Sequence, residues 1–259
     1  MGSYLSRLAA GDWFDLAAAA VEGLRAVSSS EELANLVQAA ALDMSFRYYA
    51  IIHHRDLRES VPGLVDLRDY PSAITEHLID QQGYRRDPVI RGCIFADGAF
   101  LWSELPQIIV LDRHDRLSFE IGAKEGLNEG ITVPYSRLGD PMGSCTFAGT
   151  SRPDQVHRFR GPAQLIGIFA FQAAKRLSGG SLKAATRPRL HPRPRDCVIL
   201  AGRGLSNKEI ARALSLAPRT VDGYLTEARH LFDAHDRTEL VVGAVLAGEI
   251  GIHELARQP

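Results

Sequence analysis

The chain has 259 residues, 45% hydrophobic and 24% charged, with a formal net charge of −1; this composition suits an ordinary globular protein, and the length suits two domains of unequal size. No apolar run reaches the roughly 20 residues of a membrane-spanning helix, and Asp12 and Asp15 interrupt the opening segment where a signal peptide would be apolar. Bulk charge argues against a general polyanion binder, although the segment from Ser181 onward carries twelve Lys or Arg against nine Asp or Glu and is mildly basic.

Apolar residues at helical spacing predict a helix from Trp13 to Val27, and Ser29-Ser30-Glu31-Glu32 predicts a capping box that opens a second one. Phe46 to His53 (FRYYAIIH) is rich in β-branched and aromatic residues and reads as a strand. Tyr70-Pro71 should open a helix running to Gln82, with the proline in its first turn. Ile131-Thr-Val-Pro and Cys145-Thr-Phe-Ala read as strands joined by a turn around Gly139-Asp140-Pro141, and Gln164 to Leu177 as a largely buried helix. Together these predict an α/β N-terminal domain, an antiparallel sheet sandwiched by helices. Gly179 and Gly180 stop the last helix, and Pro188, Pro192 and Pro194 keep the following chain extended or turning. The predicted organisation is a first domain over 1–177, a linker over 178–190 and a second domain over 191–259.

Cys93, Cys145 and Cys197 are odd in number and widely spaced. They form neither a metal pattern nor a disulfide framework and are expected as buried free thiols. With His53, His54 and Asp56 they are the only material for catalysis, and no nucleophile motif or metal spacing links them. The expectation is no enzyme, no catalytic residue, no metal and no cofactor.

The most specific signal is Gly204 to Arg229. Ser206 is a good N-cap and Glu209, three residues later, completes a capping box. Ile210, Ala211 and Leu214 form an inner helix face, with Ala211 small where a second helix must cross. Leu216 fills the turn, Pro218 opens the next helix, and Val221, Leu225 and Ala228 bury it. This is a helix-turn-helix, whose second helix enters the DNA major groove. Arg219, Thr220, Asp222, Gly223, Thr226 and Arg229 remain on its outer face. The two arginines and Thr220 suit phosphate or guanine, and Asp222 suits a cytosine amino group. Ser206, Asn207 and Lys208 at the start of the first helix complete the expected DNA-contacting set.

Arg193 to Gly251 resembles the LuxR-type helix-turn-helix, through Gly204, Ser206, Asn207, Lys208, Glu209, Ile210, Ala211, Leu214, Thr220, Val221, Leu225, Arg237, Thr238 and Glu239. The resemblance implies an all-α four-helix DNA-binding domain. That family usually has Glu where Pro194 stands, so the first helix of this domain is predicted to start near Arg195 or Asp196.

The N-terminal part lacks the clustered acidic residues and strand-edge phosphoacceptor Asp of a response-regulator receiver. Instead Tyr70-Pro71, Asp87-Pro88, Trp102, Gly126 and Gly130-Ile-Thr-Val-Pro134 resemble the acyl-homoserine-lactone-binding domain of quorum-sensing regulators, over roughly residues 30–175. The resemblance implies that Asp87 accepts from a ligand amide, Tyr70 donates to its acyl carbonyl and Trp102 packs on its head group. Thr146, or in its place Ser144, would supply a further hydroxyl. Each of these residues also has a purely structural reading: Tyr70-Pro71 as a helix entry, Asp87 as an N-cap, Trp102 as core.

Two positions depart from the family. Ile74 stands where it has a Trp whose indole donates to the lactone carbonyl, and Leu78 where it has a Tyr. Neither carries a donor, and the loss is worth about 1–3 kcal/mol. The expected signal is therefore an acyl-homoserine lactone held by another donor such as His77, or a related ligand with an altered head group. The whole reads as a signal-controlled cytoplasmic regulator of transcription that binds a roughly palindromic double-stranded DNA site as a homodimer. RNA polymerase is a further partner. Gln164–Leu177 and Glu239–Ala247 are the candidate dimer surfaces. The alternative is a ligand-independent regulator whose N-terminal domain serves dimerisation or protein interaction.

Overall fold

The computed structural model describes residues 13–56, 58, 63–76, 78, 83–179 and 188–256. They fall into two compact units, one drawn from residues 1–137 and 141–181, the other from 138–140 and 182–259.

The first unit is built on an antiparallel sheet of order β2-β1-β5-β4-β3. Its strands are β1 (Phe46–His53), β2 (Asp66–Asp69), β3 (Phe100–Leu101), β4 (Gly130–Tyr135) and β5 (Gly143–Thr150). Every residue of the central β5 is buried, so the sheet is covered on both faces. Side chains alternate along a strand. Cys145 and Phe147 join one core with Phe46, Ile51, Ile131 and Phe171, beneath α1 (Trp13–Ala26), α2 (Ser30–Asp43) and α7 (Arg160–Leu177). Gly143 lets α7 lie close, because a Cβ there would stand 2.3 Å from the Phe171 ring. Burying each of the large side chains contributes roughly 1.5–3 kcal/mol.

Over the opposite face lie the short helix α3 (Ser72–Thr75), α4 (Pro88–Phe95), α5 (Leu105–Ile108) and α6 (Arg113–Lys124). A half-buried ion pair joins two of them: Arg91 Nη1, on a partly exposed side chain, lies 2.8 Å from Oδ1 of the buried Asp115. Asp115 also accepts from the Asp112 backbone, and Asp112 caps α6 in return.

Several local expectations shift. Ser29 caps α2, and Glu32 reaches back chiefly to the Ser28 backbone N–H and hydroxyl, with the Ser29 backbone N–H as a further partner. The helix expected from Gln164 begins at Arg160 and is one-sided, with Leu165 41% exposed. Pro71 stands at the N-cap of α3 rather than inside its first turn. The expected continuation to Gln82, His77 included, lies outside the described residues, as does most of the segment expected as linker.

The second unit contains α8 (Pro192–Gly202), α9 (Asn207–Leu214), α10 (Pro218–Leu231), α11 (Arg237–Ala247) and the one-turn α12 (Ile252–Leu255). The helix predicted to start near Arg195 starts at Pro192 and takes Pro194 into its first turn. The first four N–H groups of a helix have no intrahelical acceptor, so a proline there loses nothing. Arg195 then anchors α8, donating to the Glu249 carbonyl at 2.8 Å and to both carboxylate oxygens of Glu254. No helix of the described residues is long and apolar enough to cross a membrane.

Candidate ligand pocket and DNA-facing helix

Between the sheet and the second helical layer lies a cavity whose walls include Tyr70, Ile74, Leu78, Asp87, Trp102 and Thr146. The strand pairings Ala50↔Thr146 and Thr132↔Thr146 set its floor, and α4 and α6 supply its roof through Val89, Ile90, Phe119 and Gly122. All six expected ligand-contacting residues therefore share one space, although they span 77 positions of sequence from Tyr70 to Thr146.

The floor is hydrogen-bonded. Trp102 Nε1 donates to Thr132 Oγ1 at 3.0 Å, and that hydroxyl lies 3.0 Å from Thr146 Oγ1. The Trp102 ring lies close to Gly130, where a Cβ would come within 2.7 Å of it. The indole N–H thus has a structural partner within the fold. Burial pushes the Tyr70 phenol well above its usual range, and the nearby Asp87 carboxylate adds to the effect, while Thr146 opposes it by hydrogen bonding. Tyr70 stays a protonated donor. Asp87 is the N-cap of α4, its Oδ1 accepting from Ile90 N at 2.9 Å. The N-cap reading of Asp87 therefore holds, and the same residue lines the cavity.

Ile74 and Leu78 pack with Leu127, Ala148, Tyr48 and Tyr70, which makes this end of the cavity apolar. Ser144 also lines the cavity and pairs with His54 Nε2 at 2.9 Å. Burial, with His53 beside it, lowers His54 to about 4, so it is neutral near pH 7. Cys93, Cys145 and Cys197 are buried free thiols. Two contributions were not legible in the sequence: α6, whose amphipathic pattern carries no ligand motif, and the pairing of His54 with a serine 90 residues away.

In the second unit Ser206 and Glu209 form the expected capping box. Ile210, Ala211, Val221, Leu225 and Ala228 are buried, and Leu214 and Leu216 pack against them. Arg219, Thr220, Asp222, Gly223 and Lys208 are exposed, and Thr226 and Arg229 half-buried. Some of these groups already have partners. Asn207 Nδ2 donates to Asp222 Oδ1 at 3.2 Å, Arg237 Nη1 donates to Asn207 Oδ1 at 3.2 Å, and Arg229 donates to Thr226 Oγ1 at 3.1 Å. Arg237 also donates to the Leu205 carbonyl, tying α11 to the loop before α9. Arg219, Thr220 and Lys208 make the most open cationic and hydroxyl set on this face.

The family described as "Autoinducer binding domain" matches residues 29–174, and that described as "Bacterial regulatory proteins, luxR family" matches residues 189–244. The transcriptional activator protein BjaR1 of Bradyrhizobium diazoefficiens is 25% identical over 226 residues, 87% of this chain and 92% of that protein. Escherichia coli SdiA superposes with a TM-score of 0.56 at 19% identity, covering 92% of this chain and 99% of that one. A structure of SdiA in complex with octanoyl-rac-glycerol gives 0.56 at 18% identity, covering 93% and 97%. At these identities the superpositions speak to the fold.

Proposed function

Because the chain belongs to the LuxR-type transcription regulators that carry an autoinducer-binding domain, we propose that the cavity between the sheet and α3–α6 takes its signal, with Tyr70, Asp87, Trp102 and Thr146 as the contacting residues. The observation that carries this is the convergence of these four residues with Ile74 and Leu78 on one space. Tyr70 donates to an acyl carbonyl, the carboxylate of Asp87 accepts from an amide, and the Trp102 face packs on the head group. Each good hydrogen bond to a charged acceptor is worth about 1.5–3 kcal/mol. Ile74 and Leu78 offer a head group contact area and no donor, so the favoured ligand is an acylated molecule whose head group is less polar than a lactone. The reading requires no cofactor.

On DNA, α10 enters the major groove. Arg219 and Lys208 meet phosphates or guanine, while Thr220, Gly223, Thr226 and Arg229 lie along the same face. Ser206, Asn207 and Asp222 hold that face in place through the cap and the Arg237 clamp. Two copies bind a roughly palindromic site. Val242 and Leu246, 51% and 48% exposed and one turn apart on α11, are the dimer contact, whereas the apolar side of α7 is committed to the sheet. The setting is the cytoplasm, with RNA polymerase as the next partner.

Titration of the full-length protein with N-octanoyl-homoserine lactone and with N-cyclopentyloctanamide, whose head group carries no polar atom, read by calorimetry, tests the ligand reading. The expected result is weaker binding of the lactone. Nanomolar affinity for the lactone, weakened further by Ile74→Trp, would overturn the altered head group. An unchanged melting temperature across both compounds and a wider signal panel favours a ligand-independent regulator.

A further inference from the structure

The cavity floor changes character along β5. Alternate residues of a strand share a face, so Ser144, Thr146 and Ala148 all look toward the cavity, with Ser144 and Ala148 about 13 Å apart. Around Ala148 stand Ile74, Leu127 and Leu78. Around Thr146 stand Tyr70, Thr132 and, through Thr132, the indole of Trp102. At the far end, Ser144 is 3% exposed, its Oγ 2.9 Å from His54 Nε2 and within hydrogen-bonding reach of the Cys93 thiol.

This far end carries a polar pair beside Ile52, where an unsubstituted acyl chain would need only apolar wall. A neutral imidazole presents one donor and one acceptor. The second ring nitrogen of His54, Nδ1, is buried with no hydrogen-bond partner among the described residues. Buried polar groups are nearly always paired, and an exception calls for a cause. A serine on the cavity wall backed by such an imidazole can turn its hydroxyl either way, because His54 can donate to it or accept from it. The pair therefore serves a ligand hydroxyl or carbonyl equally well.

We propose that Ser144 and His54 form a second polar subsite of the same cavity, and that the ligand carries a hydroxyl or carbonyl on its acyl part, about five bonds from the carbonyl held at Tyr70 and Thr146. The apolar head group then lies against Ile74, Leu78, Leu127 and Ala148. This inference rests on the ligand-pocket reading above and adds the orientation and chemical class of what the pocket takes.

The test uses two probes that differ only at the subsite, N-cyclopentyloctanamide and N-cyclopentyl-6-hydroxyoctanamide, titrated into the full-length protein. The wild type is expected to prefer the hydroxylated probe about tenfold. Ser144→Ala and His54→Phe should each abolish that preference. If Ser144→Ala does not fold, Ser144→Cys, a weaker hydrogen-bonding group of similar shape, should reduce the preference without removing it. A wild type that prefers the plain octanamide, or a preference that survives loss of the Ser144 hydroxyl, overturns the subsite. Binding of neither probe by the wild type overturns the pocket reading itself and the subsite with it.

Discussion

Single residues in the cavity carry two duties, and substitutions can separate them. Asp87 caps α4 through Oδ1 and also places negative charge beside the Tyr70 phenol. Asparagine caps as well as aspartate, so Asp87→Asn should hold the unfolding midpoint within the equivalent of about 0.5 kcal/mol, whereas Asp87→Ala should lose about 1 kcal/mol. Denaturant unfolding of both variants checks the cap, and ligand titration of Asp87→Asn then reads the loss of the charge together with one acceptor oxygen. His54 has a pH signature. Its folded value is about 4 against an ordinary 6.5, so below pH 6.5 the unfolded chain takes up a proton that the folded chain refuses. Stability is full above pH 6.5, falls as pH drops toward 4 and levels off below, by up to about 3 kcal/mol. The difference in unfolding free energy between wild type and His54→Gln, measured at pH 7 and pH 5, should narrow as the pH falls. A difference that stays constant rules out His54 as the titrating group.

At the scale of elements, the helix-turn-helix was legible because its determinants are local. A capping box, a small crossing residue and a proline at a helix start all act within a few residues of one another. Two positions depart from the local optimum. Ser215 closes α9 in the left-handed region at φ 57, where a side chain costs roughly 1 kcal/mol and glycine nothing. Gly223 sits inside α10 with nothing within 4 Å of where its Cβ would be, so nothing within the fold requires a glycine there. Ser215→Gly and Gly223→Ala should each raise stability by about 0.5–1 kcal/mol, measured as a shift in denaturant midpoint at unchanged slope. The local reading of α8 failed at Pro194, which it placed before the helix although the first turn has no donor to lose.

For the whole molecule, function is the binding of two chemically unlike partners, a small signal and DNA. The DNA side depends on salt. Arg219→Ala should weaken binding of the full-length protein to double-stranded DNA and reduce the slope of log affinity against log salt by about one. Fluorescence anisotropy across a salt series reads both, and an unchanged slope would mean that Arg219 meets no phosphate. The sequence alone determined that there is a recognition helix, which residues face outward from it, and that positions 74 and 78 carry Ile and Leu, side chains without a hydrogen-bond donor. Those conclusions rest on helix periodicity, capping and residue identity, which are written in contiguous stretches. Only the tertiary structure decided that Arg237 holds Asn207 and Asn207 in turn holds Asp222, that α6 roofs the cavity, and that His54 meets Ser144. Each of these depends on which residues stand opposite one another after helices pack or strands pair. Ile52↔Ser144, for instance, is fixed by the antiparallel register of β1 and β5, which no local window of the sequence contains.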